Sequence, residues 1–278
     1  MPTPTFSERL QAVQRSTSSV LCVGLDPDLD RLPRHLTDGA SPAEAVLTFH
    51  RAIIEATASV ACAYKLNLAF FEALGAAGWE AIRSTLEAIP DDVLTIADGK
   101  RGDIGNSARF YARSTFEQLG FDACTVSGYM GEDSVTPFLQ YSGRGVFLLA
   151  RTSNPGATDF QEISCGEAPF FEHVVRTATK WDADLPGTLG FVAGATDIDA
   201  LRRIRALAPT APLLIPGIGA QGGDAGAVMR VAAALGAPVL INSSRSIIYA
   251  SEGRDFAEAA AREAESLRSL LAGTDMLP

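Results

Sequence analysis

The sequence predicts a single closed (β/α)8 barrel, a TIM barrel, and three observations carry that prediction. Eight short apolar runs recur along the 278 residues. Segments with helical periodicity separate them, and the length suits eight β/α units, which together need about 250 residues. Runs that stay apolar at every position mark strands buried on both faces, so the sheet is parallel and covered by helices. No linker composition interrupts the chain, so residues 1–278 are expected to form one domain, with a short helix ahead of the first strand.

In order, the strand-like runs are "SVLCVGLD" (19–26), "ACAYKLN" (61–67), "VLTIADGK" (93–100), "ACTVSG" (123–128), "GVFLLA" (145–150), "GTLGFVAG" (187–194), "PLLIPGIG" (212–219) and "PVLINSSR" (238–245). The clearest helix between them is "SPAEAVLTFHRAIIEATASVA". It has Ser41 placed to cap, Pro42 at the first helical position and Glu44 at the capping-box position. Further helices are expected in "GWEAIRSTLEAI", "SARFYARSTFEQLG", "DAGAVMRVAAALG" and "DFAEAAAREAESLRSLLAG". One long irregular stretch, residues 151–169, exceeds ordinary loop lengths and reads as a functional or mobile loop.

Composition narrows the function. With 47% hydrophobic residues the chain can bury a large core. A net charge of -10 and no block of Lys or Arg argue against nucleic acid and anionic membranes as partners. Cys22, Cys62, Cys124 and Cys165 form no C-x-x-C pair, and the first three lie in apolar runs, as reduced thiols of a cytoplasmic protein would. No apolar run reaches the roughly 20 residues of a membrane helix, and the N-terminus lacks a signal-peptide core. A soluble, unexported protein is expected.

Chemistry in this fold sits at the C-terminal ends of the strands, where side chains two apart share a face. Asp26 ends the first run, Lys65 and Asn67 end the second, and Asp98 and Lys100 end the third. Asp103 follows, either joining them or capping a helix that starts near Ser107. An ion-pair lattice that only stabilises the rim is one reading. Five such residues at the chemical end of a barrel favour the other, in which interleaved ammonium and carboxylate groups hold one another ionised. Such a centre can crowd an anionic leaving group and stabilise and protonate a carbanion. His35, His50 and His173 lie away from the strand ends, which weakens metal and His-base mechanisms.

After the seventh run, Gly217, Gly219 and Gly222 match G-x-G-x-x-G, but the acidic residue a dinucleotide site needs about 20 positions later is missing. Either these glycines only form a turn, or the loops after strands 7 and 8 build a phosphate site with Arg245 as a fixed cation. The paired placement favours the phosphate site.

Taken together, "GLDPD", "YKLN", "DGKRGDIGNS", "RTSNPGA", "PGIGAQGGD" and "NSSRS" resemble orotidine 5'-phosphate decarboxylase, in its longer bacterial branch, over essentially the whole chain. The resemblance implies a cofactor-free, metal-free decarboxylation to UMP in de novo pyrimidine biosynthesis. It implies a catalytic set of Lys65, Asp98, Lys100 and Asp103, with Lys100 protonating C6 after CO2 leaves and Asp98 against the substrate carboxylate. Asp26 and Lys65 would hold the ribose, with Asn67 nearby; Ser153 would meet the pyrimidine edge, with Pro216 beside it. Gln221, Gly222, Ser244 and Arg245 would bind the phosphate, and the loops at 151–169 and 216–226 would close over it. In a homodimer, Asp103, Ile104 and Ser107 would complete the partner's site. Position 107 is Ser where the family commonly has Thr, so the hydroxyl remains and the methyl does not. Two other readings keep the barrel: a Mg2+-dependent sugar-phosphate decarboxylase or aldolase with a D-x-K-x-x-D strand, and a non-catalytic nucleotide-binding barrel.

Overall fold

The computed structural model describes residues 3–181, 184–218 and 224–272. All eight apolar runs are strands: β1 (Leu21–Gly24), β2 (Ala63–Asn67), β3 (Leu94–Arg101), β4 (Ala123–Val126), β5 (Gly145–Arg151), β6 (Thr188–Ala193), β7 (Leu213–Pro216) and β8 (Val239–Ser243). Each pairs in parallel with its sequence neighbour, and β1 pairs with β8 through Leu21 opposite Ile241, which closes the barrel.

Alternation along the strands sorts side chains into two cores. Outward positions such as Val23, Tyr64, Leu66, Val146 and Leu148 pack under the helices. Inward positions Cys22, Cys62, Leu94, Ile96, Phe147, Val192, Leu214 and Leu240 fill the interior. The short N-terminal helix α1 (Phe6–Thr17) plugs the lower end, with Phe6 edge-on to Phe147 at a 5.8 Å centroid separation. From this helix Arg9 reaches Asp122 at 2.6 Å, and Arg144 pairs with the same carboxylate at 3.0 Å.

Among the helices, α2 (Pro42–Thr57) carries the expected capping box: the Glu44 N–H donates to Ser41 Oγ at 3.4 Å, and the Ser41 N–H donates to Glu44 Oε2 at 2.9 Å. Ala76–Ala88 is α3. The next helix, α4 (Gly105–Arg113), starts two residues before Ser107 and runs into a widened π-turn over Ser114–Gln118, where the Leu119 N–H reaches the Ser114 carbonyl at 3.0 Å. Residues 151–169 are not a bare loop. They hold a 3-10 turn (Pro155–Asp159) and a two-residue antiparallel hairpin, Ser164–Cys165 with Ala168–Pro169. No described helix is long and apolar enough to cross a membrane.

Candidate active site

The inward parity that fills the core continues upward into the site. On β2, Ala63 belongs to the interior core, while Lys65 and Asn67 above it reach a cavity of about 650 Å³. On β3, Leu94 and Ile96 are core and Asp98 is rim. Asp98 is the hub: its Oδ2 accepts from Lys65 Nζ at 2.9 Å, and its Oδ1 accepts from Lys100 Nζ at 2.6 Å. Asp26, above β1, lies 3.7 Å from Lys65 Nζ and accepts the Asn67 N–H at 3.2 Å. The loop bearing Asp26 is clamped from β8's side, since Tyr249 Oη donates to the Asp26 carbonyl at 3.0 Å and accepts the Asp28 N–H at 2.7 Å.

Lys100 reaches Asp98 by a route that simple alternation does not describe. The β3–β4 register passes from Ala97 opposite Cys124 to Arg101 opposite Val126, so four steps on one strand face two on the other. Lys100 sits in this bulge at φ 45°, in the left-handed region. Its backbone N–H donates to Thr125 Oγ1 at 2.9 Å, and that hydroxyl donates to Asp98 Oδ1 at 2.8 Å.

Burial alone would neutralise these groups. For Asp98 burial pushes the pKa up, but the Lys65 and Lys100 ammonium groups and their hydrogen bonds outweigh it and hold the carboxyl well below the usual carboxylate range. For Lys65 burial favours the neutral amine, while Asp26 and Asp98 outweigh it and raise the pKa above the ordinary lysine value. His50 behaves differently: burial pushes it down to about 3, and its Nδ1 lies 3.0 Å from Thr85 Oγ1. It is a core residue outside this cavity.

The opposite wall is apolar, with Leu149, Val192 and Leu214 facing the charged strands. Ser153, Pro216, Ser244 and Arg245 line the same cavity. Gly24 makes room for Ser244, because a Cβ on residue 24 would come within 1.8 Å of the Ser244 hydroxyl. Arg245 ends no strand; it opens a four-residue helix, Arg245–Ile248, is exposed, and makes no ion pair with a described residue. Gln221 and Gly222 lie outside the described residues. From the 151–169 segment, Gln161 bonds to the Thr152 N–H at 2.8 Å and Arg151 bonds to Glu162 at 2.5 Å, which ties residues 151–162 to the end of β5.

Asp103, Ile104 and Ser107 are not gathered into this cavity by their own chain. Among the described residues, Asp103 Oδ1 accepts only the adjacent Ile104 N–H, at 2.8 Å, and makes no cap, because α4 begins behind Ile104. With Ser107 it borders a separate cavity of about 590 Å³, and Ile104 is 55% exposed. Sequence reasoning missed Thr125, Tyr249, Gln161 and Asn242. Thr125 was open to the parity argument, since it stands two residues above inward-facing Ala123. Ser127 does not line the cavity; its N–H extends the β3–β4 ladder to the Arg101 carbonyl at 2.7 Å.

A closed (β/α)8 barrel that lines up ammonium and carboxylate groups on the ends of its first three strands defines a barrel enzyme acting through fixed charge at its rim. The chain belongs to the orotidine 5'-phosphate decarboxylase / HUMPS family, whose family model matches residues 19–260. It is 45% identical to an orotidine 5'-phosphate decarboxylase from Herpetosiphon aurantiacus, over 94% of this chain and 96% of that one. To the enzyme of that name from Polaromonas naphthalenivorans it is 47% identical, over 96% and 95% of the two chains. Among solved structures, the OMP decarboxylase of Leishmania donovani superposes with a TM-score of 0.80 at 38% identity, covering 96% of this chain and 99% of that one.

Proposed function

We propose that this chain decarboxylates orotidine 5'-phosphate to UMP in pyrimidine biosynthesis, and that Lys65, Asp98 and Lys100 carry the reaction together with Asp103 from a second copy. The observation that carries the reading is the unbroken Lys65–Asp98–Lys100 hydrogen-bonded chain, set in one cavity with Arg245. The family description also covers HUMPS, but the relatives at 45% and 47% identity both bear the decarboxylase name.

In this reaction the C6–carboxylate bond breaks, CO2 leaves, and the electron pair stays on C6. Lys100 then gives a proton to C6 and regains one from solvent. Asp98 faces the departing carboxylate, and the ammonium groups stabilise the charge that builds on the ring. Asp26 and Lys65 hold ribose hydroxyls beside Asn67, and Ser153 meets the pyrimidine edge near Pro216. Gln221, Arg245 and the amides of Gly222 and Ser244 hold the phosphate.

Asp103, Ile104 and Ser107 act in the site of a partner copy in a homodimer. Two features support this: these residues stand outside their own chain's cavity, and the apolar side chains of Ile104, Phe110, Tyr129 and Met130 are exposed. A cytoplasmic setting is supported by four free cysteines, three of them buried.

The deciding assay follows the loss of orotidine 5'-phosphate absorbance in the presence of EDTA. Full turnover is expected. Activity that EDTA removes and Mg2+ restores would place the chain with the metal-dependent sugar-phosphate enzymes, and UMP binding without turnover would make it a non-catalytic barrel. A second expectation concerns the phosphate. Arg245→Ala should weaken UMP by about 10²-fold, the worth of charge-assisted bonds from one guanidinium, and leave uridine unaffected. Titration calorimetry reads both ligands, and an unchanged UMP affinity would remove Arg245 from the clamp.

A further inference from the structure

Thr125 stands at the inward position of β4, 1% exposed, in contact with two parts of the charged chain at once. Its hydroxyl accepts the Lys100 backbone N–H at 2.9 Å and donates to Asp98 Oδ1 at 2.8 Å. A hydroxyl has one proton. With the Lys100 N–H directed at the oxygen, that proton is free to serve the carboxylate, so both bonds form together.

The two groups it touches are the ones whose geometry is least ordinary. Lys100 is one of two described non-glycine residues with positive φ, a conformation that L-residues disfavour and that needs outside support. Asp98 shares its Oδ1 between Lys100 Nζ and Thr125, leaving Oδ2 to Lys65, so every donor fixes one lone-pair direction.

We propose that Thr125 is a positioning residue of the decarboxylation: one hydroxyl holds the Lys100 backbone in its left-handed turn and orients the carboxylate on which the Lys100 ammonium rests. It thereby sets the height of the proton donor over the substrate carbon. Were residue 100 to continue as a regular strand, its Cα would move on by about 3.3 Å per residue, away from Asp98. The inference rests on the decarboxylase reading.

Thr125→Val keeps the shape and removes the hydroxyl; Thr125→Ser keeps the hydroxyl and removes the methyl. With valine, kcat on orotidine 5'-phosphate should fall about 10²-fold, the usual cost of a misplacement near 1 Å, with KM and UMP affinity little changed. Serine should restore most of the rate. Valine at the wild-type kcat, or equal losses for valine and serine, would overturn the proposal, the second because packing rather than the hydroxyl would then be responsible. Thr125→Ala carries the same expectation should the valine variant not fold. Crystal structures of the variants read the proposal without the assay: residue 100 should leave positive φ in the valine variant, and an unchanged Lys100 turn with its Asp98 contact would refute it. A wild-type chain inert toward orotidine 5'-phosphate would sink the decarboxylase reading alone.

Discussion

Lys100→Ala should lower kcat for orotidine 5'-phosphate by at least ~10³-fold, as expected for loss of a positioned proton donor, while UMP still binds. The structure separates these two effects. The Lys100 side chain is 46% exposed, so its removal opens no core cavity. Asp98 keeps Lys65 at 2.9 Å and Thr125 at 2.8 Å, and the Arg245 side of the cavity is untouched. What disappears is the more exposed of the two ammonium groups that contact Asp98. The backbone at residue 100 stays left-handed, so alanine meets the same disfavoured φ as lysine did. Lys100→Gly, which relieves that strain, is therefore the control: it should be as inactive as alanine. Steady-state kinetics beside UMP calorimetry checks both halves. A rate within tenfold of wild type would remove Lys100 as the donor, and lost UMP binding would mean that the site had collapsed.

The sequence made the strands legible because burial on both faces leaves contiguous apolar runs, and it made much of the rim legible because parity is preserved along each strand. Counting by twos from Ala63 reaches Lys65 and Asn67, and from Leu94 it reaches Ile96 and Asp98. The same count reached Lys100 for an incomplete reason. Residues 98 and 100 do meet, but through a bulge with a left-handed lysine, which Gly99 inside the run hints at without fixing. A bulge is a property of two strands and their register, and a single run carries only one of them. Thr125 has the right parity, but a neutral hydroxyl carries no charge signal that would set it apart from a core threonine. Tyr249 was out of reach for another reason. It is separated by 223 residues from the Asp26 carbonyl it binds, and only the closure of β8 onto β1 brings them together. The hairpin within 151–169 consists of two-residue strands, too short to leave any periodicity.

Charge at the two ends of this barrel follows different rules. At the lower end Asp122 pairs with two arginines that are each more than a quarter exposed, and the result is local stability. At the upper end Asp98 pairs with one buried and one half-exposed lysine beside an open cavity. Both members hold the carboxylate in its ionised form, and the exposed one also faces the cavity, available to a ligand. A carboxylate with two such partners ties stability to function.

That tie makes Asp98→Asn the most damaging single change at nearly constant shape. Among the described carboxylates Lys65 would remain buried with Asp26 alone, at 3.7 Å, and a broken buried pair costs on the order of 3 kcal/mol. Activity should vanish, since Lys65 and Lys100 would then face a neutral amide. The pH dependence of stability gives a sharper reading than the loss itself. Because the folded carboxyl of Asp98 titrates below its unfolded value of about 4, its contribution is present above that pH and is lost as pH falls below it. Lys65 contributes in the opposite sense. Its folded pKa is raised, so its part is full below about 10.4 and fades only as pH climbs through the folded value. Urea unfolding of the wild type should therefore weaken steeply below pH ~4, whereas the asparagine variant should start lower and lose less across that window. Its alkaline limb should also begin earlier, because Lys65 has lost the hydrogen-bonded one of the two carboxylates that raise its pKa. Equal midpoints for the two proteins at neutral pH, or parallel acid limbs, would show that Asp98 is not the charge on which the upper end of the barrel depends.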